Sequence, residues 1–172
     1  QHVSINVAYI LGNSVLRINS IGWDNIPANI SDLENMKSII RESMEEGAFG
    51  ISTGLDYPPG SFADTNELIT LSKQVQQLGG IYHTHVRYEL GDKFLDPFRE
   101  AIEIGRQSSI PVHITHFYQR RPSRGSGREM LELVENAVGK GLDVTFDSYP
   151  YIYGSTRLIV MFPDWAHEGG PE

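Results

Sequence analysis

The chain has 172 residues, of which 40% are hydrophobic and 21% charged, a composition typical of one globular domain with a sizeable core. Its 22 acidic residues outnumber its 14 basic ones, and the net charge of −8 argues against nucleic acid or an anionic membrane surface as a partner. There is no cysteine, so disulfides are excluded and any metal site must use His, Asp or Glu.

The apolar runs in this sequence are short. The longest, residues 158–162, is far too short to cross a bilayer, and no signal-peptide pattern opens the chain. We therefore expect no membrane partner and a cytoplasmic location.

The first predicted elements are a strand and a helix separated by turns. A strand is expected over residues 3–9, and a turn-rich stretch covers residues 12–28. Ser31 and Glu34 have the spacing of a capping box and predict the start of the first helix. A buried strand is then expected over residues 49–52.

The same pattern repeats three times along the rest of the chain. Each further unit has a capping residue, an apolar stripe at helical spacing, closing glycines or polar residues, and a strand. The predicted helix starts are Asp64 with Glu67, Asp96 with Pro97, and Ser126 with Glu129; the predicted strands cover residues 81–86, 110–117 and 142–146.

Five strands alternating with four helices predict an α/β fold with a parallel sheet and right-handed crossovers. Four polar residues at strand ends follow one another every 31 or 32 residues, the length of one strand-plus-helix unit: Thr53, His85, His116 and Asp147. Either a complete doubly wound sheet or a segment of a (β/α)8 TIM-type barrel, which normally needs about 250 residues, fits this pattern. We favour a single barrel segment, residues 1–172, truncated at both ends.

Two histidines at neighbouring strand ends are the most informative residues of the chain. Functional groups collect at the C-terminal ends of parallel strands, so His85 and His116 are candidates to hold one metal ion. His83 lies on the same strand face as His85 because side chains alternate. By the same rule His113 and His116, three residues apart, are expected to point to opposite faces, and His116 is the better candidate.

Other polar groups near these strand ends have more than one interpretation. Asp147 is a candidate general base, third metal ligand or group that orients a histidine, and equally a loop-capping aspartate. Tyr149 is a candidate hydrogen-bond donor to a developing oxyanion. An arginine-rich loop before the last helix is either an anion site or a solvated loop; it contains Arg120, Arg121, Arg124 and Arg128.

Several of these stretches, in their order along the chain, resemble the D-aminoacylase (N-acyl-D-amino-acid deacylase) family of the amidohydrolase superfamily. The matching stretches are residues 47–55 with Tyr57 and Pro58, residues 84–87, residues 104–106 with Pro111 and Val112, Thr115 with His116, and residues 147–151 with residues 154–156. Members of this family are much longer, so the resemblance implies a central piece of the catalytic barrel.

The resemblance implies a metal-dependent deacylase in which His85 and His116 provide part of the zinc ligands. Tyr57, Tyr149 and Ser155 match positions that contact substrate in the family, and the implied substrate is a small N-acyl amino acid or a related amide. The family's HxH pair, its cysteine ligand and its catalytic aspartate belong to parts that these 172 residues do not contain. We therefore expect the isolated segment to be inactive and, with open sheet edges, to self-associate.

Two departures from the family pattern concern substrate recognition. Phe117 and Tyr118 stand where the family often has His and Lys, and that lysine helps to hold the substrate carboxylate. Arg120 and Arg121 are candidates to replace it. The family's Gly-His-Ser motif reads Gly-Asn-Ser at residues 12–14.

Alternative functions remain open on the sequence alone. A cyclic-amide hydrolase of the same superfamily commonly bridges two metals with a modified lysine on the fourth strand, but residues 49–55 contain no lysine. A flavodoxin-like module that binds an anion through the arginine-rich loop, without enzymatic activity, and a catalytically dead fragment are the other possibilities.

Overall fold

A computed structural model describes residues 4–120, 127–167, 169 and 170 of the chain. Its five strands form one parallel sheet in the order β1-β2-β3-β4-β5. The strands are β1 (Leu11–Gly12), β2 (Gly50–Gly54), β3 (Ile81–His85), β4 (Val112–Ile114) and β5 (Val144–Phe146).

Five α-helices are described between these strands: two connect β1 to β2, and one lies in each later connection. They are α1 (Asn13–Ser20), α2 (Ile30–Glu45), α3 (Thr65–Gln77), α4 (Asp96–Ser108) and α5 (Gly127–Gly139). Short 3-10 turns occur at Gly60–Phe62, Leu158–Met161 and Asp164–Ala166. None of the described helices is long and apolar enough to cross a membrane.

The sheet order confirms the predicted barrel segment. Consecutive strands are neighbours without any reversal, whereas a doubly wound sheet reverses its strand order at a switch point. The order therefore contradicts the flavodoxin-like alternative. Helix α3 packs between α2 and α4, as expected for the outer helical layer of a barrel.

The core lies between the sheet and the helices. Tyr82, Thr84 and Ile114 point into it from the middle strands and are completely buried. Residues on the other face of the same strands, such as His83 and His85, are only partly buried. In a closed barrel this second face is the interior, so the histidines lie on the barrel side of the sheet.

Helix α3 begins where the sequence predicts. The Asp64 carboxylate accepts a hydrogen bond from the backbone N–H of Glu67 at 2.7 Å, the N-cap arrangement that satisfies a free amide. Its apolar stripe, which includes Leu68, Leu71 and Val75, is buried against the sheet.

Two other helix starts differ from the prediction. Helix α2 begins two residues early, because Asn29 and Asp32 form the capping box in place of Ser31 and Glu34. An Asn–Asp pair at this spacing satisfies the same amides. Asp96 is not an N-cap but the first residue of α4, and its carboxylate accepts from the backbone N–H of Asp92. The Ser126 capping prediction lies outside the described residues.

The start of the chain also differs. The predicted strand over residues 3–9 is not formed by the described part, where Ile5 and Val7 are exposed; β1 is only Leu11–Gly12. The turn-rich stretch contains helix α1, which is therefore a fifth helix. It is short and without a side-chain N-cap, so tertiary contacts stabilise it: Arg17 is completely buried and forms a 2.5 Å ion pair with Glu67 of α3.

Candidate active site

Strand β3 places His85 at the carboxyl end of the sheet. His85 is the last residue of β3, and its Nε2 shares a 3.0 Å hydrogen bond with Asp56 Oδ2. Asp56 follows β2, the neighbouring strand, and its other carboxylate oxygen accepts from the backbone N–H of Tyr88. Asp56 thereby connects the loops that follow two adjacent strands.

His116 reaches the same end of the sheet through an unusual backbone conformation. Its φ is +58°, in the left-handed region that a residue other than glycine seldom adopts. Two hydrogen bonds hold the residue in place: its carbonyl accepts from the Tyr88 hydroxyl at 2.6 Å, and its N–H donates to Asp147 Oδ1 at 3.0 Å. The rings of His85 and His116 meet edge to face with centroids 5.3 Å apart.

The left-handed turn also changes which face His116 occupies. The expectation that His113 and His116 point to opposite faces is wrong, because strict alternation holds only while the backbone is extended. Strand β4 ends at Ile114, before His116. The His113 ring stacks on His83 and the His116 ring contacts His85, and those two partners share one face of β3.

One cleft of about 550 Å³ brings together the residues singled out from the sequence. Tyr57, His85, His116, Tyr149 and Ser155 all line it. The Tyr149 ring lies 5.6 Å from His116, and the Tyr57 ring 5.5 Å from His85. The Tyr57 hydroxyl forms a 2.7 Å hydrogen bond with the hydroxyl of Thr156, the residue that follows Ser155.

Arg120 is the cation of this cleft. Its guanidinium lies over the Tyr88 ring, 3.7 Å from the ring centroid, and its Nη1 donates to Asp56 Oδ2 at 2.7 Å. Arg128, from the same arginine-rich stretch, does not line the cleft and pairs with Glu132 on the exposed side of α5. Arg121 and Arg124 lie outside the described residues.

Asp56 in the cleft and Asp147, which binds the His116 N–H, are both held in their ionised form. Burial alone would raise the pKa of Asp56, but the hydrogen bond from His85 and the charge of Arg120 outweigh it and lower the pKa. Burial likewise opposes ionisation of Asp147, while hydrogen bonds from the His116 backbone, His113 and Thr115 bring its pKa to about 2.

The imidazoles tend towards their neutral, ligating form. Burial lowers the pKa of His116, and the neighbouring His85 lowers it further. Burial and the proximity of His113 lower the pKa of His83 in the same way. Tyr149 remains a phenol, because a hydrogen bond with Tyr118 and partial burial raise its pKa. Neutral imidazoles beside ionised carboxylates form a donor set that suits zinc.

Sequence reasoning missed two residues of this site: Asp56, which lines the cleft, and Tyr88, which contacts His116 and Arg120. Asp56 could have been found, because it follows β2 as closely as polar residues follow β3 and β4. Tyr88 gives no such signal, since its contacts with His116 and Arg120 depend on where the loop after β3 folds back. Arg87, which belongs to a matching stretch, instead binds the carbonyls of Ser61 and Ala63.

The sequence of this chain is similar to those of several curated deacylases. A D-aminoacylase from Alcaligenes xylosoxydans xylosoxydans is 38% identical over 156 residues, which cover 90% of this chain and 32% of that protein. The N-acyl-D-glutamate deacylase of the same organism is 31% identical over 92% of this chain, and its N-acyl-D-aspartate deacylase 32% identical over 90%. The chain spans about one third of the length of these relatives. No protein-family model matches it.

Solved structures show the same likeness in three dimensions. A D-aminoacylase described as defining a novel subset of amidohydrolases superposes with a TM-score of 0.80 at 33% identity, over 88% of this chain and 32% of that one. An N-acyl-D-glutamate deacylase from Bordetella bronchiseptica, complexed with zinc and a phosphonate inhibitor, gives a TM-score of 0.81 at 28% identity and the same coverage. Sequence and fold thus confirm the resemblance that the motifs indicate.

Proposed function

We propose that this chain is a segment of a D-aminoacylase-type amidohydrolase barrel, and that the full-length protein is a zinc-dependent N-acyl-D-amino-acid deacylase. The observation that carries the proposal is the convergence of His85 and His116 in a cleft also lined by Tyr57, Tyr149 and Ser155. The relatives that match most of the chain are named for this class of reaction.

His85 and His116 would provide two of the zinc ligands. Bound zinc would supply a Lewis acid that polarises an amide carbonyl and acidifies water. Asp56 orients the His85 ring and increases its basicity, as a carboxylate behind a metal-binding histidine does. Tyr88 and Asp147 fix His116 from its carbonyl and its N–H.

The remaining cleft residues would bind and orient the substrate. Tyr149 keeps its hydroxyl proton and can donate it to the carbonyl oxygen as that oxygen becomes negative. Tyr57 and Ser155 also line the cleft and would contact the acyl or amino-acid group of the substrate. Arg120 can bind the substrate carboxylate in place of the lysine that Tyr118 replaces.

The test measures zinc content and hydrolysis of N-acyl-D-amino acids by the full-length protein. His85→Asn and His116→Asn should each reduce bound zinc and lower kcat/KM by more than about 100-fold, because each removes a ligand. His167→Asn is the matched control, since His167 does not line the cleft and its Nε2 contacts the Phe162 carbonyl. Full activity in either cleft variant, or hydrolysis that a chelator does not affect, would contradict the proposal.

A further inference from the structure

A second group of metal-ligating side chains lies beside the cleft, on the barrel face of the sheet. His83, His113 and Asp147 each offer one ligand atom, and these atoms all lie within 4.8 Å of one another. They lie on or directly after three adjacent strands. His83 on β3 and His113 on β4 are paired in register, and Asp147 directly follows β5. None of the three belongs to the ligand set described above.

The separations among these atoms suit a tetrahedral ion. With bonds of about 2.0 to 2.1 Å, the ligands of tetrahedral zinc lie about 3.3 Å apart. His113 Nε2 and Asp147 Oδ2 are 3.0 Å apart, and the His83 and His113 rings stack with centroids 5.0 Å apart. The ligand atom of His83 lies within 4.8 Å of the other two, so an ion bound by all three would draw the His83 ring closer to them.

The surrounding hydrogen bonds prepare two of the three groups for ligation. Thr145 Oγ1 lies 2.8 Å from His113 Nδ1 and can accept the Nδ1 proton when an ion takes the place of the proton on Nε2. Thr115 Oγ1 and the His116 N–H donate to Asp147 and fix its orientation. The 3.0 Å contact between His113 Nε2 and Asp147 Oδ2 is bridged by the Nε2 proton in the metal-free protein, and a bound cation would replace that proton.

The ligand atoms of His83, His113 and Asp147 determine which metal ions this group favours. Two imidazoles and one carboxylate favour Zn²⁺ and similar divalent transition metals over Mg²⁺ or Ca²⁺, which prefer oxygen ligands. The carboxylate side chain is 49% exposed and the His113 side chain 26%, so an ion has a path into the site from solvent. Three protein ligands leave a fourth position for water.

We propose that His83, His113 and Asp147 form an auxiliary site for a divalent transition metal, separate from the site at His85 and His116. An ion held there links β3, β4 and the end of β5 across the barrel face. It also fixes Asp147, whose carboxylate holds the left-handed backbone of His116. The site is independent of the proposed deacylase activity, and metal binding alone tests it.

The experiment measures Zn²⁺ stoichiometry by equilibrium dialysis of the metal-stripped, full-length protein. His113→Gln and His83→Gln should each bind one equivalent less than the wild type, with His167→Gln as a matched control that loses none. His116→Asn should lose a different equivalent, so combining it with His113→Gln should remove two. If the deacylase proposal were wrong, the protein would not hydrolyse N-acyl-D-amino acids. The loss of one zinc equivalent in His83→Gln and in His113→Gln would still be expected.

A second measurement requires no variant. Anomalous diffraction at the zinc edge from zinc-saturated wild-type crystals should show a peak between His83, His113 and Asp147. Unchanged stoichiometry in both glutamine variants, or the absence of a peak at saturating zinc, would overturn the proposal. The crystal measurement decides the matter should the variants fail to fold.

Discussion

Arg120 is the residue that we propose for binding the substrate carboxylate. Its guanidinium reaches the cleft two residues beyond Tyr118, which stands where relatives of the family often carry a lysine. Asp56 and the Tyr88 ring hold the side chain in place while leaving it 35% exposed. A guanidinium has five donors, so binding Asp56 does not exhaust its capacity for a substrate carboxylate.

Arg120→Met should raise KM for N-acyl-D-amino acids by about 10- to 150-fold, the range expected for one hydrogen bond to a charged group. The methionine keeps most of the length of the side chain and removes its charge. Substrate analogues that carry a primary amide in place of the carboxylate should be almost unaffected. Arg128→Met, on the exposed face of α5, serves as control. An unchanged KM for the carboxylate substrate would exclude Arg120 from this role.

Tyr149 is argued to act on the reacting oxygen and not on substrate affinity. Tyr149→Phe should therefore lower kcat by about 100- to 1000-fold, as the loss of one oxyanion donor does, with a much smaller change in KM. Steady-state kinetics over a range of substrate concentrations separates the two effects. Tyr9→Phe, an exposed tyrosine outside the cleft, should leave both constants unchanged. If Tyr149→Phe changed only KM, Tyr149 would contribute to substrate binding and not to the reaction step.

At the scale of elements, the contact between α4 and β4 is unusually close. Gly105 lies in the buried part of α4, and a Cβ added there would be 2.4 Å from Cγ2 of Val112. Glycine normally weakens a helix, so its presence here reflects the space available and not local propensity. The close approach sets the position of β4, and with it that of His113 and the turn at His116.

Gly105→Ala should lower the free energy of unfolding by about 1 to 3 kcal/mol, because the extra methyl overpacks a filled core. Gly139→Ala at the end of α5 is the matched control: its Cβ would meet no atom within 4 Å, and the gain in helix propensity is up to about 1 kcal/mol. Urea unfolding followed by circular dichroism measures both. Equal stabilities for the two variants would show that α4 can move away from β4 at little cost.

At the scale of the whole molecule, the described sheet has two open sides. Among the described strands, β1 pairs only with β2, and β5 only with β4. A patch of large apolar side chains is also exposed after β5; it contains Leu158, Met161, Phe162 and Trp165. Unpaired strand edges and apolar patches of this kind favour association with another chain or another part of the same chain.

We therefore predict that residues 1–172 expressed alone self-associate and do not hydrolyse N-acyl-D-amino acids. Sedimentation velocity should show species larger than a monomer, and Leu158→Lys with Trp165→Lys should reduce their proportion by placing charge in the apolar patch. The full-length protein, in which further strands would complete the barrel, should show no such dependence on these two residues. A monomeric segment, or one with zinc-dependent activity, would contradict this prediction.

The sequence by itself determined the alternation of strands and helices, the start of α3 at Asp64, and several of the residues that line the cleft. These features follow from short-range causes: apolar periodicity, capping hydrogen bonds, and the rule that parallel strands present their carboxyl ends at one edge. The stretches that resemble the deacylase family, and their order along the chain, can also be found from the sequence alone.

Only the tertiary structure decided the formation of α1, the role of Asp56 and Tyr88, and the face on which His116 lies. Helix α1 depends on the buried pair of Arg17 with Glu67, fifty residues away. The face of His116 depends on a left-handed backbone held by Tyr88 and Asp147. In each case the deciding interaction joins residues that are distant in sequence. Local sequence patterns do not show which distant residue will make the contact.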